Sequence, residues 1–465
     1  MDIYSRTIIQ FTGGAMITKL LLHPNSGCQV PLHSGYIWIK ARGIPMVGRR
    51  MSFLLVFVLV CHIYGQTYPP DVSLSKVQIP SMTQPAYLVA TNEPTFGTKI
   101  MRITTTAGLT HYYAKDQPWN CTMTRVKLTR GVLLDKSYKQ IGTNVPGDET
   151  RWSNLDPDIM FQVTGTTIRK CNISTGNNQT LRTFSGYTSV YLGPWEGNLS
   201  KDDKRAVLAG NKGGTLELIV YNIETNTVEA TKSMGGSFDD LDWATISQSG
   251  NYVICNWNTN GSGTRQGVEL YDRNLNFLRQ LLVTGEHADA GYDSRGNEVY
   301  VSLTCGERSR YNAEIVMVRL DNGELTRIVD GSFGGFGGHV SCRNVKRPGW
   351  AYISEANSIY ECFAVKLDGS MTVERFAHHH SVASPIGCPS PDGTIILFAS
   401  DWGGSTYCYV TWKDGPTASK NDCIPMLTPA VHPIYGLHFN KGETGIFVGN
   451  GRTLYSLSGR LMHGR

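Results

Sequence analysis

Apolar and polar positions alternate in short runs, and the runs recur with a period of about forty-eight residues. Each unit opens on a polar or glycine-containing turn, enters an apolar strand, turns again, and adds a second and a third strand. Six openings read GNLSKDDKRAVLAG from Gly197, WATISQSGNYVICNW from Trp243, GYDSRGNEVYVSL from Gly291, HVSCRNVKRPGWAYIS from His339, GCPSPDGTIILFASD from Gly387 and GLHFNKGETGIFVGN from Gly436. They lie about 46 to 49 residues apart, and two less regular units begin near Trp119 and Trp152. The turns Ser249-Gly250, Arg295-Gly296 and Asp392-Gly393 put glycine where a tight hairpin requires positive φ. One such meander cannot bury both of its faces, whereas units stacked around an axis can, and the period is that of a four-stranded propeller blade. The eight units therefore predict an all-β fold, a seven- or eight-bladed β-propeller of four-stranded antiparallel blades. The unit from Gly436 holds only about three strands, so Thr98–Thr106 (TKIMRITTT) is expected to complete it and close the ring.

Composition agrees with this pattern. The 465 residues include 50 glycines, 40% are hydrophobic and 17% charged, which excludes a disordered chain and a helical bundle. A formal charge of +5 with no cluster of lysine and arginine gives no basis for nucleic-acid binding. The most apolar run, Phe53 to Cys61 (FLLVFVLVC), follows Arg49 and Arg50 and is too short to span a bilayer. It reads as a secretory signal, with a buried strand as the alternative, and it makes Met51 a candidate initiator. The expected organisation is residues 1–50 as an upstream extension without an assigned fold, 51–65 as the signal, and 66–465 as a single propeller, secreted and monomeric, with no membrane span in the mature chain. Export accords with five glycosylation sequons, at Asn120, Asn172, Asn178, Asn198 and Asn260, and with nine cysteines after the signal. Pairs about twenty residues apart, Cys342 with Cys362 and Cys388 with Cys408, are expected to bridge neighbouring strands.

Propellers bind ligands over the central channel, so chemistry is expected near the starts of the units. Histidine is concentrated there: His111, His287, His339 and the run His378, His379, His380. Neutral imidazole is a common transition-metal ligand, and neighbouring blades can supply ligands without a short motif. His378 and His380 alternate along an extended segment, so both face one side with His379 opposite. The alternative for any one of them is a structural turn histidine bonded to a backbone carbonyl.

The stretches HADAGYDSRGNEVYVSL from His287 and HHHSVASPIGCPSPDGTIILFASDWGG from His378 resemble the propeller repeats of oligogalacturonate lyases and their TolB-like relatives, and the arrangement is also similar to that of ulvan lyases. The resemblance implies a propeller-face histidine base with an assisting arginine, and further histidines on a divalent metal. Carried onto this chain, it makes His287 and Arg265 the catalytic candidates. It makes His339, His378 and His380 the ligands of a manganese, calcium or zinc ion. No glutamine stands beside the last two, a departure from the pattern. The implied activity is β-elimination on a uronic-acid-containing glycan, an acidic polysaccharide or oligosaccharide. There a base removes the proton α to the carboxylate and a cation stabilises the anion that develops.

His111, Tyr113 and Trp195 are candidates for contact with sugar. Recurring aromatics, here Trp119, Trp195, Trp243, Trp257, Trp350 and Trp402, are otherwise blade core. Asp239, Asp240 and Asp242 form an acidic cluster with calcium-ligand chemistry, or a solvated loop. The glycine-rich Ser332–His339 has no helix after it, which excludes a phosphate loop, and no serine sits in a nucleophile elbow. Two further classes stay open beside the lyase: a propeller that binds carbohydrate or protein without catalysis, and a glycan hydrolase, which requires a carboxylate pair.

Overall fold

The computed structural model describes residues 77–413, apart from 148, 286, 304–313, 330–336, 357–358 and 382–384, together with five two-residue strands outside that span. The chain divides into two compact units, residues 69–421 and residues 1–68 with 422–465. In the second of these a hairpin pairs Pro31–Leu32 with Gly35–Tyr36, and a three-stranded sheet joins Val448–Gly449, Leu454–Tyr455 and Leu461–Met462. The signal run at 51–65 and the opening of the Gly436 unit lie outside the described residues.

Residues 69–421 fold as a seven-bladed β-propeller. Blade 1 joins Arg125–Lys127, Leu133–Asp135 and Gln140–Gly142, with Trp119 bridged to Val126 on the inner side. Blades 2 to 6 are four-stranded antiparallel meanders over residues 149–183, 189–237, 241–282, 288–329 and 338–378. Blade 7 consists of Cys388–Pro389, Ile395–Ser400 and Tyr407–Trp412, completed by Lys99–Arg102 and then Thr91–Asn92 from the other end of the domain. The closing strand is thus the expected segment, but it completes the unit from Gly387 and not the one from Gly436.

The physical reason for a ring is visible in the core. Seven hydrophobic clusters form among the described residues, and each fills one space between adjacent blades. Ile100, Phe376, Phe398 and Tyr409 lie between blades 6 and 7, and Trp119, Val126, Leu397 and Val410 between blades 7 and 1. Inner and middle strands bury both faces while outermost strands such as Thr227–Ser237 are largely exposed, the burial gradient a radial stack of sheets requires. Trp119, Trp243 and Trp257 are core, as their recurrence suggested.

The two expected disulfides do not form: Cys342, Cys362, Cys388 and Cys408 are buried free thiols. Twenty residues is two strands of a meander, so each pair is separated by an intervening strand. At roughly 4.8 Å per strand the backbones are almost 10 Å apart, beyond the ~7 Å that a disulfide spans. Cys305 and Cys423 lie outside the described residues. Two of the five sequons are buried. Asn120 donates its amide to Thr124 Oγ1 and the Pro157 carbonyl, and Asn198 is packed below the channel mouth, so neither offers room for a glycan in the folded chain. Asn178 and Asn260 are exposed and Asn172 partly so. No helix among the described residues is long and apolar enough to cross a membrane.

Candidate functional site

In a meander of four strands, the loops entering the innermost strands and those joining second to third strands share one end of the ring. The chain entering blade 1 carries His111, Tyr113 and Lys115 to that end. In blade 3 the inner strand is interrupted between Ser189–Tyr191 and the Leu199 to Ala206 bridge, and the intervening bulge holds Trp195 and Glu196. Blade 4 contributes Asp242 and Trp243 from Leu241–Ile246, His287 immediately precedes Ala288–Tyr292 of blade 5, and His339 lies in Gly338–Ser341 of blade 6.

These side chains meet over the channel. The Lys115 ammonium is ion-paired with Glu196, 3.4 Å from the ring centroid of Trp243 and 5.7 Å from that of Tyr113. The Tyr113 hydroxyl donates to Glu196, and its ring meets His339 edge-on at 5.0 Å. His339 is stacked on His287 with centroids 4.1 Å apart. His287 Nδ1 is 2.5 Å from the Gly338 carbonyl oxygen. A carbonyl only accepts, so in the neutral ring the proton sits on Nδ1 and Nε2 carries the lone pair. His287 itself is exposed.

Burial holds the His339 imidazole down to about 2, assisted by His287, Lys115 and His111, so it stays neutral. His111, with Nε2 2.6 Å from the Ile386 carbonyl, is pushed down to about 4 by burial. Asp242 is raised above the usual carboxylate range, first by burial and then by the charge of Glu196, with Lys115 and His287 opposing. Tyr113 is raised by burial and by both carboxylates.

Beneath the mouth the channel is bolted shut. Gln117 of blade 1 donates to the carbonyls of Arg343 and Pro389 in blades 6 and 7, and Gln248 of blade 4 donates to those of Ala290 and Cys342. Arg343 forms a buried bidentate pair with Asp289, and Lys127 and Arg151 pair with Asp116. A cavity of about 20 Å³ remains, lined by Gln117, Arg151, Asn154, Asn198 and Arg343, room for about one water.

Of the residues singled out from sequence, His287, His339 and Tyr113 fall together at the mouth, whereas His111 is buried against the Ile386 carbonyl and Cys408 and is not open to a sugar. Trp195 is 57% exposed on the blade 3 bulge, beside Tyr191. Arg265 does not join them. Its guanidinium lies 3.3 Å from Asp240 and against Gly236 of the outermost strand of blade 3, while its amide is held by Glu269. His378 and His380 are also elsewhere. His378 ends the outermost strand of blade 6, bonded through Nδ1 to Glu93 at 2.9 Å and stacked on Phe96 of the closing segment. His380 is stacked on Trp402 of blade 7 at 4.2 Å. A divalent cation on His339, His378 and His380 does not fit this geometry, because one ligand sits at the channel and two at the blade 6 to blade 7 seam. Among the described residues no group of three or more histidine, cysteine, aspartate or glutamate side chains is arranged to hold a metal. The sequence reading missed Lys115 and Glu196, and it weighed Asp242 only as a calcium ligand or loop residue. A signal was present: Glu196 and Asp242 each directly precede a unit opening, at Gly197 and Trp243, and Lys115 precedes the unit near Trp119.

The fold is a seven-bladed β-propeller, and it is similar to that of oligogalacturonate lyases. Two solved structures carry the comparison: an oligogalacturonate lyase in complex with manganese, and the oligogalacturonate lyase of Vibrio parahaemolyticus. Each is 13% identical, superposes with a TM-score of 0.52, and is matched over 70% of this chain and 96% of its own. At that identity the likeness is one of fold. No sequence-family model matches the chain, and no curated protein matches it.

Proposed function

We propose that the channel mouth cleaves a uronic-acid-containing oligosaccharide by β-elimination, with His287 as the base. The observation that carries this reading is the stacked histidine pair: His287 is exposed, fixed by the Gly338 carbonyl, and holds its basic Nε2 free for a proton at the mouth. The standing positive charge near the pair is the Lys115 ammonium, which contributes to depressing His339 and is ion-paired with Glu196. That ammonium is the group through which the mouth attracts a uronate carboxylate and the enolate-like anion derived from it. Trp195, exposed on its bulge, offers a face on which a sugar ring can stack. The likeness to oligogalacturonate lyases supports an acidic oligosaccharide as substrate. No step in this reading runs through a metal ion, because the histidines expected to hold one are divided between two places. Export, argued from the run at Phe53, belongs to the same proposal.

The test is ultraviolet absorbance of the unsaturated product during incubation with oligogalacturonate, alginate, ulvan and glycosaminoglycan fragments. The expected result is a rise with at least one polymer that is lost in a folded His287→Ala variant. An equal rise in that variant removes His287 from the role, and a flat trace for the folded wild-type protein removes the lyase.

A further inference from the structure

Three successive blades each place one ionisable side chain at the channel mouth: Glu196, Asp242 and His287. Asp242 is presented by a distinct backbone device. In blade 4 the register runs from Leu241 opposite Trp257 directly to Trp243 opposite Asn256, so Asp242 is the extra residue of a β-bulge. It is also the one exposed residue of a strand otherwise buried throughout. A bulge turns a side chain away from the ladder, and here it turns a carboxyl toward the mouth. Its Oδ2 accepts from Asn256 Nδ2 at 3.3 Å.

The charged groups around it are Glu196 from blade 3, Lys115 from the segment entering blade 1, and His287 from blade 5. Glu196 is ion-paired with Lys115. Partial desolvation of the Asp242 carboxyl, and after it the charge of Glu196, disfavour a negative charge there although the residue reaches solvent. A carboxyl held toward its protonated form beside an ion-paired carboxylate is equipped to give up a proton.

On the reading that the mouth performs β-elimination, we propose that Asp242 is the acid that protonates the departing glycosidic oxygen. His287 Nε2 takes the proton from the carbon α to the uronate carboxylate, and the electron pair of that C–H bond becomes the new C=C bond. The bond from the adjacent carbon to the glycosidic oxygen breaks, its pair goes to the oxygen, and the oxygen receives the Asp242 proton. An unsaturated uronate and a free hydroxyl leave. The imidazolium of His287 then returns its proton through water to the Asp242 carboxylate, restoring both groups.

The experiment compares the full chain with its Asp242→Asn variant on two substrates. One is the uronate oligosaccharide that the wild-type protein eliminates. The other is the matching uronate with a para-nitrophenyl ether on the carbon β to the carboxylate, so that the leaving group is para-nitrophenolate, which departs without a proton. The expected result is a fall of about 10²–10⁴-fold in kcat on the oligosaccharide and less than about tenfold on the nitrophenolate substrate, whose turnover also reports that the variant is folded. Equal losses on both substrates, or no loss on either, overturn the role of Asp242 while the elimination reading stands. If the folded wild-type protein yields no unsaturated product from any uronate, the elimination reading falls and this role falls with it.

Discussion

The imidazole of His339 lies against that of His287, 16° from parallel with centroids 4.1 Å apart. Two stacked rings cannot both hold a proton at low cost, and burial decides which one does not: His339 stays neutral while His287 faces solvent. The pair is therefore asymmetric, one ring a buried wall and the other open to solvent.

Removing the working ring gives the first prediction. His287→Ala should lower elimination by about 10²–10⁴-fold, the usual contribution of a positioned base. Its effect on the unfolding temperature should be small, because the side chain is exposed. Rates and thermal unfolding on the same preparation check both halves.

A second prediction concerns acid. His111, His339 and His379 are all buried, with folded values of about 4, 2 and 4 against an ordinary 6.5. Unfolding releases them to take up protons, so their contribution is complete above pH ~6.5 and is lost as pH falls toward the folded values. Each costs up to ~1.4 kcal/mol per pH unit in that window, on the order of 5 kcal/mol together between pH 7 and 5. Urea unfolding at the two pH values measures this directly. A pH-independent midpoint would mean that the three rings take up protons as readily in the folded protein as in the unfolded chain.

How much of this was legible beforehand depends on direction within the ring. The unit openings from Gly197 to Gly387 fell on or beside inner strands because apolar alternation and the Asp392-Gly393 type of turn are local properties. The alternation of the histidine run was also readable: the His379 ring turns to the Glu355 carbonyl, away from His378 and His380. What alternation could not supply is radius. His378 closes an outermost strand and His339 an innermost one, and nothing local distinguishes those positions. The same gap explains the disulfides, since counting twenty residues cannot say that an intervening strand separates the two backbones. Lys115, Glu196 and Asp242 stood at readable positions but carry no motif, and only ring closure shows that they converge.

Trp195 supplies a prediction of opposite signs. Its backbone sits at φ +67°, a region costly for a bulky side chain, and is fixed there by Glu149, which accepts its amide, and by Arg151, which donates to its carbonyl. Trp195→Gly should relieve that strain and raise stability by about 1 kcal/mol. It should also weaken oligosaccharide binding by removing the exposed indole. Thermal unfolding and titration calorimetry separate the two effects; unchanged affinity would deny the indole a role in binding.

Ile100 tests the closure of the ring. It is fully buried in the strand Lys99–Arg102, opposite Thr411, and packs between blades 6 and 7. Ile100→Ala should cost about 2–5 kcal/mol, far more than Val89→Ala, whose side chain is exposed. Denaturant midpoints of the two variants give the comparison.

The seam in blade 7 also has a meaning in time. Thr104 Oγ1 accepts the amide of Cys408, 304 positions later in the chain. A ribosome therefore exposes Lys99–Arg102 long before its partner Tyr407–Trp412 exists. Through the synthesis of six blades that strand is an unsatisfied edge, the kind of surface that recruits foreign strands. The ring that leaves no inner gap in the finished protein is, during translation, an open arc with its most adhesive end made first.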